Sequence, residues 1–429
     1  MIDDQTIDLL IERLIERTNK ANETILMEMG KSIKKLRTLK PSEAHKLVQI
    51  LKYGGSFDEI MTKIERYSAL NIKDIDNIFS NYARKDQMFY EKFYQYRNIP
   101  FVPINENYAL KTQTMALANI VKNEMYDYFR PNVLGYSIRD EKGNLVFKGL
   151  KDTYNELLDT ALLNVGQGKE TFDSAMSNIM KEIGQSGLKT IDFKSTYIDK
   201  NGIERNRTMR LDSYTNMHLK SKLRELHNEN QEIYGKEFGA DGVEISVHMY
   251  PAVDHEKVQG RQFSKEEYQK LQNGLIAKDY KGKVYTLDHD GKNGYRPISE
   301  LNCYHYKFDI VLGVSKPEYT EKELQEIRSN NEKGFQLFDR RSGEYKKYTM
   351  YEGTQLQKSL ERKIREQKDI QILAKESGNN NLILESQNNI TKLTKQYKEL
   401  SDISGLPTKM DRLKVAGYRR KKVLTNVKK

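Results

Sequence analysis

The chain has no tryptophan and a single cysteine, Cys303, in 429 residues. One thiol cannot form an intramolecular disulfide, so a stapled secreted scaffold is excluded and a reducing compartment is expected. With Trp absent and 27 Tyr against 14 Phe, most aromatic packing must be done by rings that also carry a hydroxyl. No run of eighteen apolar residues occurs, so no transmembrane helix is expected. The opening MIDDQTIDLLIERLIERTNK is acidic and amphipathic rather than basic and then uniformly apolar, so it is not read as a secretory signal. The phosphate-cradling G-x-x-x-x-G-K-[ST], the zinc-protease H-E-x-x-H and the G-x-S-x-G elbow are all missing. There is no internal repeat.

What is present is charge. Asp, Glu, Lys and Arg make up 31% of the chain, and the mean hydropathy is −0.79. That is polar for one compact enzyme, and it suits helical, extended or assembly proteins. The net charge of +11 favours proximity to nucleic acid, and it is unevenly spread. Residues 409–429 hold nine cations (Lys409, Arg412, Lys414, Arg419, Arg420, Lys421, Lys422, Lys428 and Lys429) against one acid, Asp411. Clustered cations release counterions from DNA without needing a fold. A solvated tail is the competing reading.

The patterning predicts an α+β fold that is predominantly α-helical, within a length that allows two to four domains. Residues 1–104 read as a helical N-terminal region, a candidate docking arm. Ile7, Leu10, Ile11, Leu14 and Ile15 form one apolar stripe. New helices are expected after Pro41, over 57–67, over 71–84 and through the aromatic set 89–96, whose simplest role is packing between helices. Residues 105–240 read as a helical domain with β-hairpins. A helix over 108–129 leads to a hairpin over 136–147. Helices over 153–165 and 169–183 come next. A second hairpin turns at Asn201-Gly202, and a central helix spans 211–238. Residues 241–318 read as a small α+β module. Its strands are Val243–Val247, ended by Pro251, then 282–287 and 306–312, with a polar helix opened by Ser264 and Glu267 in capping-box spacing. Residues 319–408 read as a C-terminal helical region. Thr320 and Glu323 cap its first helix, and helices over 351–374 and 382–400 form a hairpin. The charges at four-residue spacing in 351–374 read as a solvated face. Residues 409–429 are the basic tail.

The small module carries two polar clusters: Asp254-His255 with Gln259-Gly260-Arg261, and Asn302-Cys303-Tyr304-His305. This arrangement of strand, Asp-His, Gln-Gly-Arg and Asn-Cys-Tyr-His resembles the tailed-phage minor capsid protein family, of the type called phage minor capsid protein 2. The segments Gly187–Phe193 and Tyr351–Arg365 extend the likeness, which is strongest over about 180–370. The chain departs from the family pattern at Val258, where Trp is usual, at Ala252-Val253, where Arg is usual, and at Tyr304, where Arg is usual. Losing an Arg and a Trp while the frame stays favours a structural motif over a catalytic one. The resemblance implies a non-enzymatic minor virion protein inside the head or at the portal vertex, present in the host cytoplasm during assembly. It would act in head assembly, with a part in DNA packaging or ejection. The implied partners are the portal or major capsid protein and, through the basic tail, packaged double-stranded DNA, with no membrane.

Two chemical readings compete with a purely structural motif. A packaged nuclease or other DNA-processing enzyme would use His255 as base, Asp254 as its partner and Arg261 to stabilise charge. Neighbouring Asp and His point to different sides of an extended backbone, which weakens this. Arg261 and Asp254 are instead expected to fix an irregular loop by buried hydrogen bonds. A structural zinc would collect His248, His255, Cys303 and His305, with His289 nearby in the sequence. Its alternative is a reduced buried cysteine among hydrogen-bonded histidines.

Overall fold

The structure, a computed structural model, describes residues 4–37, 56–130, 132–140, 142–198, 202–287, 297–298, 303, 305–339 and 342–419. Among these the fold is α+β and predominantly helical. The N-terminal half runs α1 (Asp4–Arg37), α2 (Ser56–Arg97), α3 (Tyr108–Tyr128), β1 (Leu134–Arg139), β2 (Leu145–Gly149), α4 (Leu150–Gly166) and α5 (Phe172–Ser186). Then come β3 (Lys189–Ile198), β4 (Glu204–Arg210) and the central helix α6 (Leu211–Phe238). The small module holds β5 (Gly242–Ile245), β6 (Gln262–Ser264), α7 (Lys265–Gln272), β7 (Ala277–Lys278), β8 (Val284–Tyr285) and β9 (Lys307–Ile310). The chain closes with α8 (Glu321–Lys333), the hairpin β10 (Phe335–Asp339) and β11 (Glu344–Tyr348), α9 (Met350–Ser377) and α10 (Asn380–Ser404).

The apolar stripe of α1 is buried as its spacing demands: Ile7, Ile11 and Leu14 are all at or near zero exposure. It joins a single apolar cluster with α2 to α6, β1, Tyr306 and the far half of α9. The three helices expected over 57–96 are one continuous helix, α2. Neither Pro nor Gly, the strongest helix breakers, occurs between Ser56 and Arg97. Its aromatic end packs on α6, with Tyr90 stacked on Tyr234 at 4.6 Å and Tyr94 edge-on to Phe238 at 4.7 Å. The helix expected after Pro41 lies outside the described residues.

Two antiparallel hairpins combine into a four-stranded sheet ordered β2-β1-β3-β4. The module's sheet is ordered β6-β5-β9, so β5 is central. Its four residues are all buried, Glu244 included. This corrects the expected half-buried alternation. Glu244 is tolerated because its carboxylate accepts from Gln262 Nε2 at 2.7 Å and Glu318 N at 3.0 Å. The strand also ends at Ile245, well before Pro251, because the Ile245 carbonyl accepts from Gly260 while the Arg261 N–H turns to Val258 O, and the Tyr306 N–H donates to the Ser246 hydroxyl instead of its carbonyl. Val284–Tyr285 and Lys307–Ile310 are likewise shorter than the sequence pattern. At α7 only half the capping box forms. Ser264 accepts from Glu267 N, but the Glu267 carboxylate takes the N–H of Lys278 instead. At α8 the box with Thr320 and Glu323 is complete.

Helices α9 and α10 form an antiparallel hairpin, zipped by Gln357 to Ser401, Tyr397 to Glu361, Asn389 to Gln367 and Gln371 to Gln387. Its turn is Gly378, left-handed at φ +72°, followed by Asn379, which caps α10. The solvated-face reading of α9 is corrected here. Gln357, Glu361, Asp369 and Gln371 are buried, because α1, α5 and α10 all pack on this helix.

Candidate functional site

The loop after β5 builds one wall of the site. Residues 252–259 fold into helix-like turns, in which His255 N donates to Ala252 O and Gln259 N to His255 O. The Gln-Gly-Arg step then separates three tasks. Gln259 points inward, and its Oε1 accepts from the His248 backbone N–H at 2.9 Å and lies 3.2 Å from His305 Nε2. Gly260 makes the turn at φ +67°, and its N–H donates to Ile245 O. A Cβ there would also meet Leu324 Cδ2 at 2.6 Å, so both backbone and space call for glycine. Arg261 points away and forms a two-pronged ion pair with Glu321 at the start of α8. Val258, the departure from the family's usual Trp, is fully buried in the module's own apolar cluster with Val243, Ile245 and Phe263.

The second cluster arrives just before β9. Cys303 Sγ lies 3.4 Å from His255 Nδ1 and 3.5 Å from His305 Nδ1. All three residues are buried, and their candidate ligand atoms lie within 4.8 Å of one another. The ring of His248 packs edge-on against His305 with centroids 4.6 Å apart, beside the triad rather than in it. Asp254 Oδ2 comes within 3.5 Å of His255 Nε2. The two neighbours do meet, because this backbone is turned rather than extended.

Of the two residues expected to fix this loop by buried hydrogen bonds, Arg261 bonds at the surface instead. Arg261 faces Glu321, whose carboxyl it holds below the ordinary glutamate range by hydrogen bonding, and Asp254 faces His255. The nuclease reading loses its charge stabiliser for the same reason. Asn302 and His289 lie outside the described residues.

His248, His255, Cys303 and His305 open on a cleft of about 690 Å³. Its opposite wall is α9, through Tyr351, Gln355, Lys358 and Glu361, together with Leu406, Lys409 and Arg412. Nothing in the local sequence pairs α9 with the two clusters. The sequence signal that reaches this wall is the family-like segment Tyr351–Arg365, which supplies most of it. Glu361 accepts from Tyr397 OH at 3.1 Å and has Arg412 Nη1 at 3.9 Å.

The start of the basic tail is not free. Leu413 is buried against Ile364 and Tyr397, Lys409 N donates to Tyr397 OH, and Lys368 and Lys375 lie over the Tyr418 ring. Of the tail cations, Arg412 faces Glu361 and Lys414 pairs with Asp411. Arg419 lends its carbonyl to Lys375. Arg420, Lys421, Lys422, Lys428 and Lys429 lie outside the described residues.

A model of the family described as phage minor capsid protein 2 matches residues 2–402, nearly the whole chain. The chain belongs to that family. It is a minor capsid protein, a structural component of a bacteriophage particle. No curated protein and no solved structure matches it. Among the described residues, no helix of this capsid protein is long and apolar enough to cross a membrane.

Proposed function

We propose that this minor capsid protein works at or near the portal vertex, inside the head. There it helps assemble the shell around the portal and holds packaged double-stranded DNA through its C-terminal cations. The observation that carries the reading is how the C-terminus is divided. Residues 409–418 are fastened to the α9–α10 hairpin through Leu413 and Tyr418. Residues 420–429 then carry five cations and no acid. A rigid helical body with a concentrated positive end is suited to sit between a protein shell and a polyanion. The role asked of the protein is positioning, without catalysis.

Truncation after Arg419 tests this, since it spares the packed segment. The truncated protein should fold and enter particles, while its affinity for duplex DNA falls at least about tenfold. The slope of log affinity against log salt should also fall, by up to roughly 0.9 for each cation removed. Base composition should matter little, because phosphate contacts carry no sequence information. Unchanged DNA affinity with loss from particles would make these residues a protein-docking element and overturn the DNA-holding role.

A further inference from the structure

We propose that His255, Cys303 and His305 form a zinc site, with the ion's fourth position facing the cleft beneath α9. The proposal does not depend on where in the particle the protein sits.

Three observations carry it. The first is geometry. In a tetrahedral zinc site with ordinary Zn–S and Zn–N bonds, a sulfur and a nitrogen ligand stand about 3.5 Å apart. Cys303 Sγ stands 3.4 Å from one Nδ1 and 3.5 Å from the other. The third pair of donor atoms closes within the same 4.8 Å limit.

The second is the state of the two rings. Gln259 Oε1 is fixed as an acceptor by the His248 backbone N–H, which can only donate. His305 Nε2, 3.2 Å from that oxygen, must therefore carry the proton, which leaves the Nδ1 lone pair aimed at the thiol. The Asp254 carboxylate beside His255 Nε2 favours the same tautomer there. Both imidazoles thus present Nδ1 inward and are steadied from behind by an oxygen, the arrangement that orients metal-bound histidines. One divalent cation at this point would serve all three donors at once.

The third is the donor set. One thiolate and two imidazoles suit zinc, and three protein ligands leave one position for water. That position has room, because the ligands line the cleft. An ion there would tie the turn after β5 to the residues entering β9, two stretches with little regular structure of their own.

The test uses the full chain, purified under reductant without chelator from zinc-supplemented cells. Elemental analysis should find about one zinc per chain, and Cys303→Ser and His305→Ala should lose most of it. His248→Ala should keep it, since His248 stands beside the triad. Replacement of zinc by Co²⁺ should give a thiolate-to-cobalt charge-transfer band together with the visible spectrum of a tetrahedral ion. Should the ligand variants fail to fold, the wild-type protein alone decides. Cys303 is its only thiol, so chelation of the metal should speed that thiol's reaction with a disulfide reagent at least tenfold. Wild-type protein without bound metal, or carrying stoichiometric iron or copper instead, would overturn the assignment. So would a cobalt spectrum with no sulfur band.

Discussion

Two buried polar clusters in this molecule are built on opposite plans. One lies where β4 passes into α6 and meets α9. Arg210 reaches Asp369 at 3.0 Å and Asp212 at 3.4 Å, and Arg365 reaches the other oxygen of Asp212 at 2.7 Å. Asn22, from α1, donates to Asp369. Two cations and two anions cancel, and the group is sealed between helices. The other cluster is His255, Cys303 and His305. Its donor atoms converge on one point, with Asp254 beside His255, and the cluster opens on a cleft. The first arrangement does its work by being closed, joining α1, α6 and α9 across some 350 positions of sequence with strict geometry. The second gathers three metal-binding atoms at the edge of a cleft, and that is where binding can occur.

The largest effect should come from opening the closed cluster. Arg210→Met would leave Asp369, which has no exposure, without its cation. A buried charge stripped of its partner costs on the order of 3–5 kcal/mol, read as a loss of unfolding free energy in urea. The same cluster predicts a pH signature. Burial alone would raise the Asp212 carboxyl, but Arg210, Arg365 and the Ser213 N–H outweigh it and hold it at about 2, against 3.8 ordinarily. A depressed acid stabilises the fold above its unfolded value, and that contribution is lost as pH falls through the folded one. It is worth on the order of 2 kcal/mol. Wild type should therefore exceed Asp212→Asn in stability near neutrality, and the gap should close between about pH 4 and 2. Asp369, raised by burial, works with the opposite sign. A gap that persists into acid would show that Asp212 acts through packing.

These two clusters also differ in how far they could be read from sequence. Helices were legible wherever caps and stripes agreed. The span 211–238 for α6 matches at both ends, because Gly239 supplies the left-handed stop at φ +68°. Of the four residues singled out in the sequence for a metal, His255, Cys303 and His305 stand together and His248 stands beside them, each from a short run of unusual composition. The closed cluster was not legible. Arg210 and Asp369 stand 159 positions apart, and Asp369 sits in a helix whose charge spacing reads as solvent-facing. Only the packing of α1 and α5 onto α9 buries it, and no local pattern encodes that packing. The sequence pattern overstates the lengths of β5, β8 and β9 for a related reason. Their apolar alternation continues into loops whose N–H groups bond elsewhere.

A middle-sized effect should come from Gln259→Leu. The side chain is buried and serves two donors, His248 N–H and His305 Nε2–H. Leucine keeps the volume and strands both, at roughly 1–3 kcal/mol. The change should appear as a lower melting temperature, with the secondary structure content preserved. If the cluster needs Gln259 only to fill space, the melting temperature will not move.

The smallest effect should come from Arg261→Ala, although Arg261 belongs to the same Gln-Gly-Arg step. Its guanidinium forms a two-pronged pair with Glu321, but Glu321 is well exposed, at 58% of its side chain. An ion pair of this kind gains little over water and is screened by salt. Some packing will be lost too, because the guanidinium carbon sits 5.8 Å from the centre of the Tyr285 ring. The expected cost is below about 1 kcal/mol, and smaller still at high salt. A double-mutant cycle with Glu321→Gln isolates the pair from the packing, and the coupling should be on the order of 0.5 kcal/mol. A loss as large as that of Gln259→Leu, insensitive to salt, would mean that Arg261 belongs to the buried side of the step. The division between an inward Gln259 and an outward Arg261 would then fail.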